Sequence, residues 1–215
     1  VSRSIRHLDR ELGWLTRNRW GLGVLPIALL CALAASSDRV KTYWWDSELH
    51  EARPAAQGEW FAYSQPYELT DGEHTMSLKA RLDAVEPLSA AEATGSMDYQ
   101  LPDGAVAVRV TLSVRADPAT SLTGCSMALR DDAGNRYSYV ATLAAGGQPT
   151  SPCVPADSPG PVVLMKELRM PAADEQPRPA SYTVTPVWVV PASAKLTEVD
   201  LWWEMPEYIA FRTAN

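Results

Sequence analysis

The stretch Trp20 to Ser36, WGLGVLPIALLCALAAS, carries no charge and is mostly apolar, and it constrains this chain more than any other feature. At ~1.5 Å per residue it spans about 26 Å as a helix, close to the ~30 Å hydrocarbon core of a bilayer. With Ser37 added and Arg19 reaching back to the headgroups, residues 20–37 predict one transmembrane helix. Trp20, Leu22, Leu25, Ile27, Leu29, Leu30 and Leu33 supply its lipid-facing bulk. Ala32-Leu33-Ala34 also fits the small-residue pattern of a cleaved signal peptide. The long basic region ahead of it favours a retained anchor. Ala28-Leu29-Leu30-Cys31 resembles a lipoprotein box, but Leu30 stands where a small residue belongs, so Cys31 reads as a small apolar member of the helix.

Charge sets the expected orientation. Arg3, Arg6, Arg10, Arg17 and Arg19 precede the apolar run, opposed only by Asp9 and Glu11, and positive flanks resist translocation. Residues 1–19 therefore read as a cytoplasmic amphipathic segment, with Ile5, Leu8, Leu12 and Leu15 at helical spacing. Residues 1–37 carry 5 − 2 = +3, so the rest of a chain of net charge −7 must carry −10. An acidic exterior argues against a nucleic-acid partner and leaves membrane lipid to the anchor and its arginines.

The 215 residues leave room for one anchor and one domain of ordinary size. Residues 38–66 are irregular, broken at Pro54-Ala55-Ala56-Gln57-Gly58, and read as a stalk. Within it Trp44 and Trp45 suit either the outer membrane interface or the start of a partner contact. Residues 67–215 become β-like. Met76, Leu78, Ala80 and Leu82 alternate with polar residues, and Val106, Val108, Val110, Leu112 and Val114 do so more clearly still. Ser126–Arg130 and Arg136–Leu143 flank Asp131-Asp132-Ala133-Gly134-Asn135, a hairpin connection. Later strands are expected at Tyr182–Val190, Glu198–Glu204 and Tyr208–Arg212. Short strands with Pro and Gly punctuation, and no convincing helix, predict an exterior β-sandwich.

Cys125 and Cys153 are an even pair outside the membrane, which is most simply a disulfide. It would close a loop of about 29 residues, a constraint of roughly 3–4 kcal/mol in the chain-entropy picture. The order AVAVRVTLSVRA, CSMALRDDAGNRY, TPVWVVPASAKLTEVDLWW resembles the immunoglobulin-like exported domains of Gram-positive and actinobacterial proteins. They include the mycobacterial secreted antigen with an immunoglobulin-like fold. The resemblance covers about residues 68–213 and implies an immunoglobulin-like β-sandwich and an exported location. It brings no catalytic residues. The Pro-rich insertions around Cys153 and Pro177 depart from that pattern, as does the anchor.

Catalytic signals are sparse. The sequence has three histidines and lacks H-E-x-x-H, G-x-S-x-G and a phosphate-cradling glycine loop. Asp46, His50 and Glu51 share a possible helical face but read as a solvated stalk. His74 reads as a turn residue, and Asp131, Asp132 and Asn135 as a hairpin tip rather than a calcium site. No pair of carboxylates stands out for glycosidase work. Neither cofactor nor metal is expected.

The aromatics near the end carry more information. Trp202 and Trp203 are adjacent in a strand and must face opposite sides. With Val199 and Leu201 in register with Trp203, Trp202 is left pointing outward. Trp188 shares a face with Val184 and Val190, leaving Val187 and Val189 on the other. Strands apolar on both faces lie inside more structure or at an interface. Cover comes from the chain's own Trp44–Tyr63 segment, from a partner protein or from a bound lipid or glycan, making Trp44, Trp45 and Trp202 the candidate partner contacts. The expectation is a non-catalytic, single-pass membrane subunit with an integral membrane protein as partner. The alternatives are a ligand-binding module for an envelope lipid, glycan or metal, and an envelope hydrolase.

Overall fold

The computed structural model describes residues 17–89, 92–93, 101–141 and 151–214. The expected amphipathic segment lies outside these residues except for its last three. The chain divides into two units, 1–48 and 49–215.

In the first unit, helix α1 runs from Arg19 to Val40 and continues as a π-helical turn, Lys41–Trp45. Its 22 residues measure about 33 Å, a few residues longer than the apolar run alone implies. None of them is buried, and the apolar side chains ring the helix instead of forming a stripe. A helix apolar all round is what a lipid environment accepts.

The second unit is mainly β. Its strands are β1 (Glu51–Ala56), β2 (Phe61–Leu69), β3 (Gly72–Pro87), β4 (Ala105–Ala116), β5 (Ser126–Asp131) and β6 (Arg136–Ser138). They continue as β7 (Val162–Leu164), β8 (Glu167–Arg169), β9 (Ser181–Val184), β10 (Val187–Pro191), β11 (Leu196–Trp202) and β12 (Glu207–Arg212). One sheet has the order β1-β12-β11-β5-β6, and a second has β10-β4-β3-β2 with β9 also on β4. The hairpin β7–β8 forms a small sheet of its own.

The two large sheets share one core. Met76, Leu78, Ala80 and Leu82 of β3 and Val108, Val110, Leu112 and Val114 of β4 face Met127, Leu129, Val199, Leu201, Ile209 and Phe211 of the other sheet. The alternation in β3 and β4 thus sets which face is buried. Thr185-Pro186 splits the expected strand 182–190 into β9 and β10, both antiparallel to β4. Proline there has no N–H to give, but its carbonyl accepts from Val110 N–H at 3.0 Å.

The expected stalk 38–66 is corrected by this topology. Residues 51–56 pair in parallel with β12, and residues 61–69 pair with β3, so the β unit begins at Leu49. β2 alternates Tyr63, Gln65 and Leu69 inward against Ala62, Ser64, Pro66 and Glu68 outward. β1 is exposed on nearly every residue and is set by its neighbour β12, reinforced by the Arg53 Nε to Glu207 Oε1 pair at 2.6 Å.

The register puts several boundaries at one end of the unit. The start of β1 lies beside the start of β12, and the end of β11 beside the start of β5 and Cys125. The His50 and Glu51 N–H groups both donate to Pro206 O, in the β11–β12 turn. Gln65, midway along β2, donates from Nε2 to Glu204 O at 3.0 Å, and β2 runs on from there to the β2–β3 turn at the same end. This is the end at which the first strand of the unit begins.

Candidate functional site

Trp20, Leu22, Leu25, Ile27, Leu29, Leu30 and Leu33 are all exposed along α1, between 40% and 78% of their full surface. Trp44 and Trp45 follow on the π-helical turn and are also exposed. Cys31 is a free, exposed thiol on the helix.

Trp202 and Trp203 take opposite faces. Trp203 packs on the shared core, stacks on Tyr63 with centroids 5.9 Å apart, and donates from Nε1 to Leu122 O at 2.9 Å. Trp202 lies on the outer face with Tyr208 and Ala210, and Leu49 covers that cluster. The expected outward Trp202 is therefore half-buried under the first residue of its own unit. The other doubly apolar strand is covered the same way. Val187, Val189 and Ala107 on the outer face of the second sheet lie with Leu88, Ala93 and Leu101.

Beside Trp202 the outer face holds a buried charge. Asp200 is fully enclosed, and its Oδ2 accepts from Arg130 Nε at 2.6 Å, while Glu198 stands 3.6 Å from the same nitrogen. Burial pushes the Asp200 carboxyl up to about 7; the Arg130 hydrogen bond opposes that and Glu198 adds to it. These two carboxylates converge on an arginine, not on a cleft, and the enclosed one is out of a substrate's reach. The Arg130 guanidinium also lies 5.5 Å over the Tyr208 ring.

At the entry end a cleft of about 510 Å³ opens between Gln65, Tyr67, Met76, Thr123, Val163 and Trp203. Gln65 is nine-tenths buried, and its Oε1 has no hydrogen-bond partner. Behind the cleft, Cys125 and Cys153 are joined as expected, with Cα atoms 6.3 Å apart and both residues in the core. Arg178 is buried and braces the disulfide-bearing loop. Its NH2 donates to Asp117 O at 2.7 Å and Thr120 O at 2.8 Å, and Tyr182 Oη donates to Cys153 O at 2.9 Å.

The hairpin β7–β8 stands at the rim of this cleft. Thr70 N–H and Oγ1 both donate to Lys166 O, at 2.8 and 3.0 Å, and Lys166 Nζ meets Glu68 at 2.6 Å. The Lys166 ammonium holds the Glu68 carboxyl below its ordinary range. Sequence reading passed over this hairpin because three-residue strands give too little alternation to register. The signal available was the run Val162-Val163-Leu164-Met165, apolar yet set among prolines.

Other expected groupings resolve locally. His74 Nε2 lies 2.8 Å from Asp71 Oδ1 in the β2–β3 turn. The Asp131 carboxylate accepts from Ala133 N, Asn135 N, Asn135 Nδ2 and Tyr137 Oη, which lowers its pKa, the Asn135 side chain contributing most. That organises the hairpin tip for its own sake. Among the described residues no three His, Cys, Asp or Glu side chains gather as a metal site, and that includes Asp46, His50 and Glu51. No protein-family model, no curated protein and no solved structure matches the chain.

Proposed function

We propose that this chain is a single-pass, membrane-anchored accessory subunit, without catalysis of its own, that holds an immunoglobulin-like β-sandwich outside a bacterial cell membrane. The observation that carries the reading is α1, 22 residues long, apolar on every side and buried nowhere, in a chain whose β unit bears a disulfide. The basic flank at Arg17 and Arg19 favours a cytoplasmic amino terminus. The disulfide suits the oxidising side. Two sheets around one core, with the first strand parallel to the last, support the immunoglobulin-like assignment; the added β2 edge strand and the position of the disulfide depart from it. Tethering keeps the domain at the membrane surface and raises its effective concentration for a membrane partner. Trp44 and Trp45, exposed where the helix ends, are the candidate contacts for such a partner.

The test is purification of the full chain from native membranes in mild detergent, with mass spectrometry of the eluate. A stoichiometric integral membrane protein supports the subunit reading. A chain that elutes alone overturns it and favours the second reading, a small-ligand module. The observation behind that alternative is the entry-end cleft with the unpartnered Gln65 Oε1.

A further inference from the structure

We propose that the cleft between Gln65, Met76, Val163 and Trp203 binds an organic cation, a primary ammonium carried on an aliphatic stem. The site lies wholly within the β unit and does not depend on the subunit reading. It rests on the ligand reading of the same cleft, whose ligand it names.

Size and apolar lining suit such a stem. The volume of about 510 Å³ falls within the ~300–1,000 Å³ of small-ligand sites. Tyr67, Met76, Val163 and Trp203 supply the apolar lining. Trp203 is fixed there, stacked on Tyr63 and with Nε1 given to Leu122 O, so its indole offers the cleft hydrocarbon only. Val163 is set by the β7–β8 hairpin, which turns through Met165 and Lys166 at left-handed φ of 51° and 63°. Thr70 holds that turn by Lys166 O. Aromatic rings attract an organic cation through their quadrupole.

The polar lining sets the sign of the ligand, because its donors are spent within the protein. Gln65 Nε2 donates to Glu204 O at 3.0 Å, Gly124 N–H to Ser151 Oγ at 2.8 Å, and Lys166 Nζ to Glu68 at 2.6 Å. Thr123 Oγ1 donates to Pro161 O at 3.5 Å, which leaves Ser121 Oγ to donate to Thr123 at 3.1 Å. A phenol such as Tyr67 serves as donor or acceptor and favours neither sign.

Acceptors remain. Gln65 is nine-tenths buried with Oε1 unpartnered, and its amide cannot turn end for end without losing the bond to Glu204 O. An unpaired buried acceptor is costly, and a donor brought by a ligand relieves it. Lys166 offsets Glu68, whereas the Glu204 carboxylate has no ion-pair partner among the described residues. A carboxylate or phosphate ligand would meet Glu204 and find the lining's one cation already paired. An ammonium, with three donors and no acceptor, matches this inventory.

The experiment titrates the full chain in a nonionic detergent by isothermal titration calorimetry. The probes are pentane-1,5-diamine, pentane-1,5-diol and glutarate, which share a stem and differ in their ends. The diamine should bind at least about tenfold more tightly than the other two, as a charge-assisted hydrogen bond implies. Glu204→Gln should weaken the diamine by about fivefold and leave the diol unchanged. Glu59→Gln, an exposed carboxylate outside the cleft, should change neither. Gln65→Met removes the acceptor at similar volume and should abolish diamine binding. If that variant does not fold, the two glutamate variants decide. Equal weakening by both overturns the site in favour of unspecific attraction to an acidic surface. Diol or glutarate bound as tightly as the diamine overturns the ammonium but keeps the cleft as a ligand site. No binding of any probe at millimolar concentration overturns the ammonium and the ligand reading together.

Discussion

The outer faces of the two large sheets and the β7–β8 hairpin carry similar apolar side chains but meet different fates. On one sheet Leu49 closes over Trp202, Tyr208 and Ala210; on the other Leu88, Ala93 and Leu101 lie against Val187, Val189 and Ala107. The hairpin keeps Val162, Leu164, Met165, Leu168 and Met170 in the open. An apolar outward face on a strand is thus weak evidence for a partner, because a few residues of the same chain suffice to cover it. The informative surface is the one that the described residues leave uncovered.

The largest expected effect breaks the comparison on its covered side. Asp200, enclosed beside Trp202, has a carboxyl raised from 3.8 to about 7, chiefly by burial. Between those values the folded state holds more protons than the unfolded one, so this group's contribution is greatest below pH 4, falls as pH rises and is flat above 7. At about 1.4 kcal/mol per pH unit the swing is bounded at ~4 kcal/mol. Asp131, Glu68 and Asp71, whose carboxyls are lowered, push the other way. The difference in urea midpoint between the wild type and Asp200→Asn isolates the term. It should change steadily across pH 4 to 7, and a constant difference would show that Asp200 titrates as an ordinary carboxyl.

A smaller effect separates the covered face from the hairpin. Leu49→Ala should cost about 2 kcal/mol, the lower end for a buried leucine at the margin of a core. Leu168→Ala in the hairpin should stay within about 0.5 kcal/mol, as surface substitutions do. Denaturant unfolding of the two variants side by side decides it; equal losses would mean that the two regions do not differ in burial after all.

The smallest effect has the opposite sign. Replacing Met165-Lys166 with Asn-Gly fits the left-handed turn and should raise stability by ~1 kcal/mol. A thermal shift with no gain would mean that the turn is unstrained by its present residues.

How much of this was legible in sequence depends on how local each cause is. The strands β3 and β4 were legible because both bury one face, so alternation reports them directly. The opposed faces of Trp202 and Trp203, and the two faces of β10, followed from the same period of two. The disulfide followed from counting cysteines outside the apolar run. β1 was not legible, since its residues are exposed on both sides and only its parallel neighbour fixes it. β2 carried a readable alternation, but residues 61–66 fell inside the stretch 38–66 that reads as an irregular stalk. The cover over Trp202 rests on a single residue, Leu49, at the end of a stretch with irregular pattern. Asp200 gave no sign of enclosure, because the groups around it, Arg130 and the strand neighbours Ala128 and Ala210, come together only through the pairing of β11 with β5 and β12. The cleft arises from the meeting of segments distant in sequence, whereas the β7–β8 hairpin is local but too short to show a period.

The account stands or falls on a helix that crosses a membrane and leaves the β unit on the oxidising side. The most direct measurement places single cysteines at His7 or Asp132 in a Cys31→Ser chain and treats intact cells with a membrane-impermeant maleimide. Cys125 and Cys153 are joined and stay silent. Position 132 should label in intact cells and position 7 only after lysis. Labelling of both before lysis, or of neither until after it, would contradict the account.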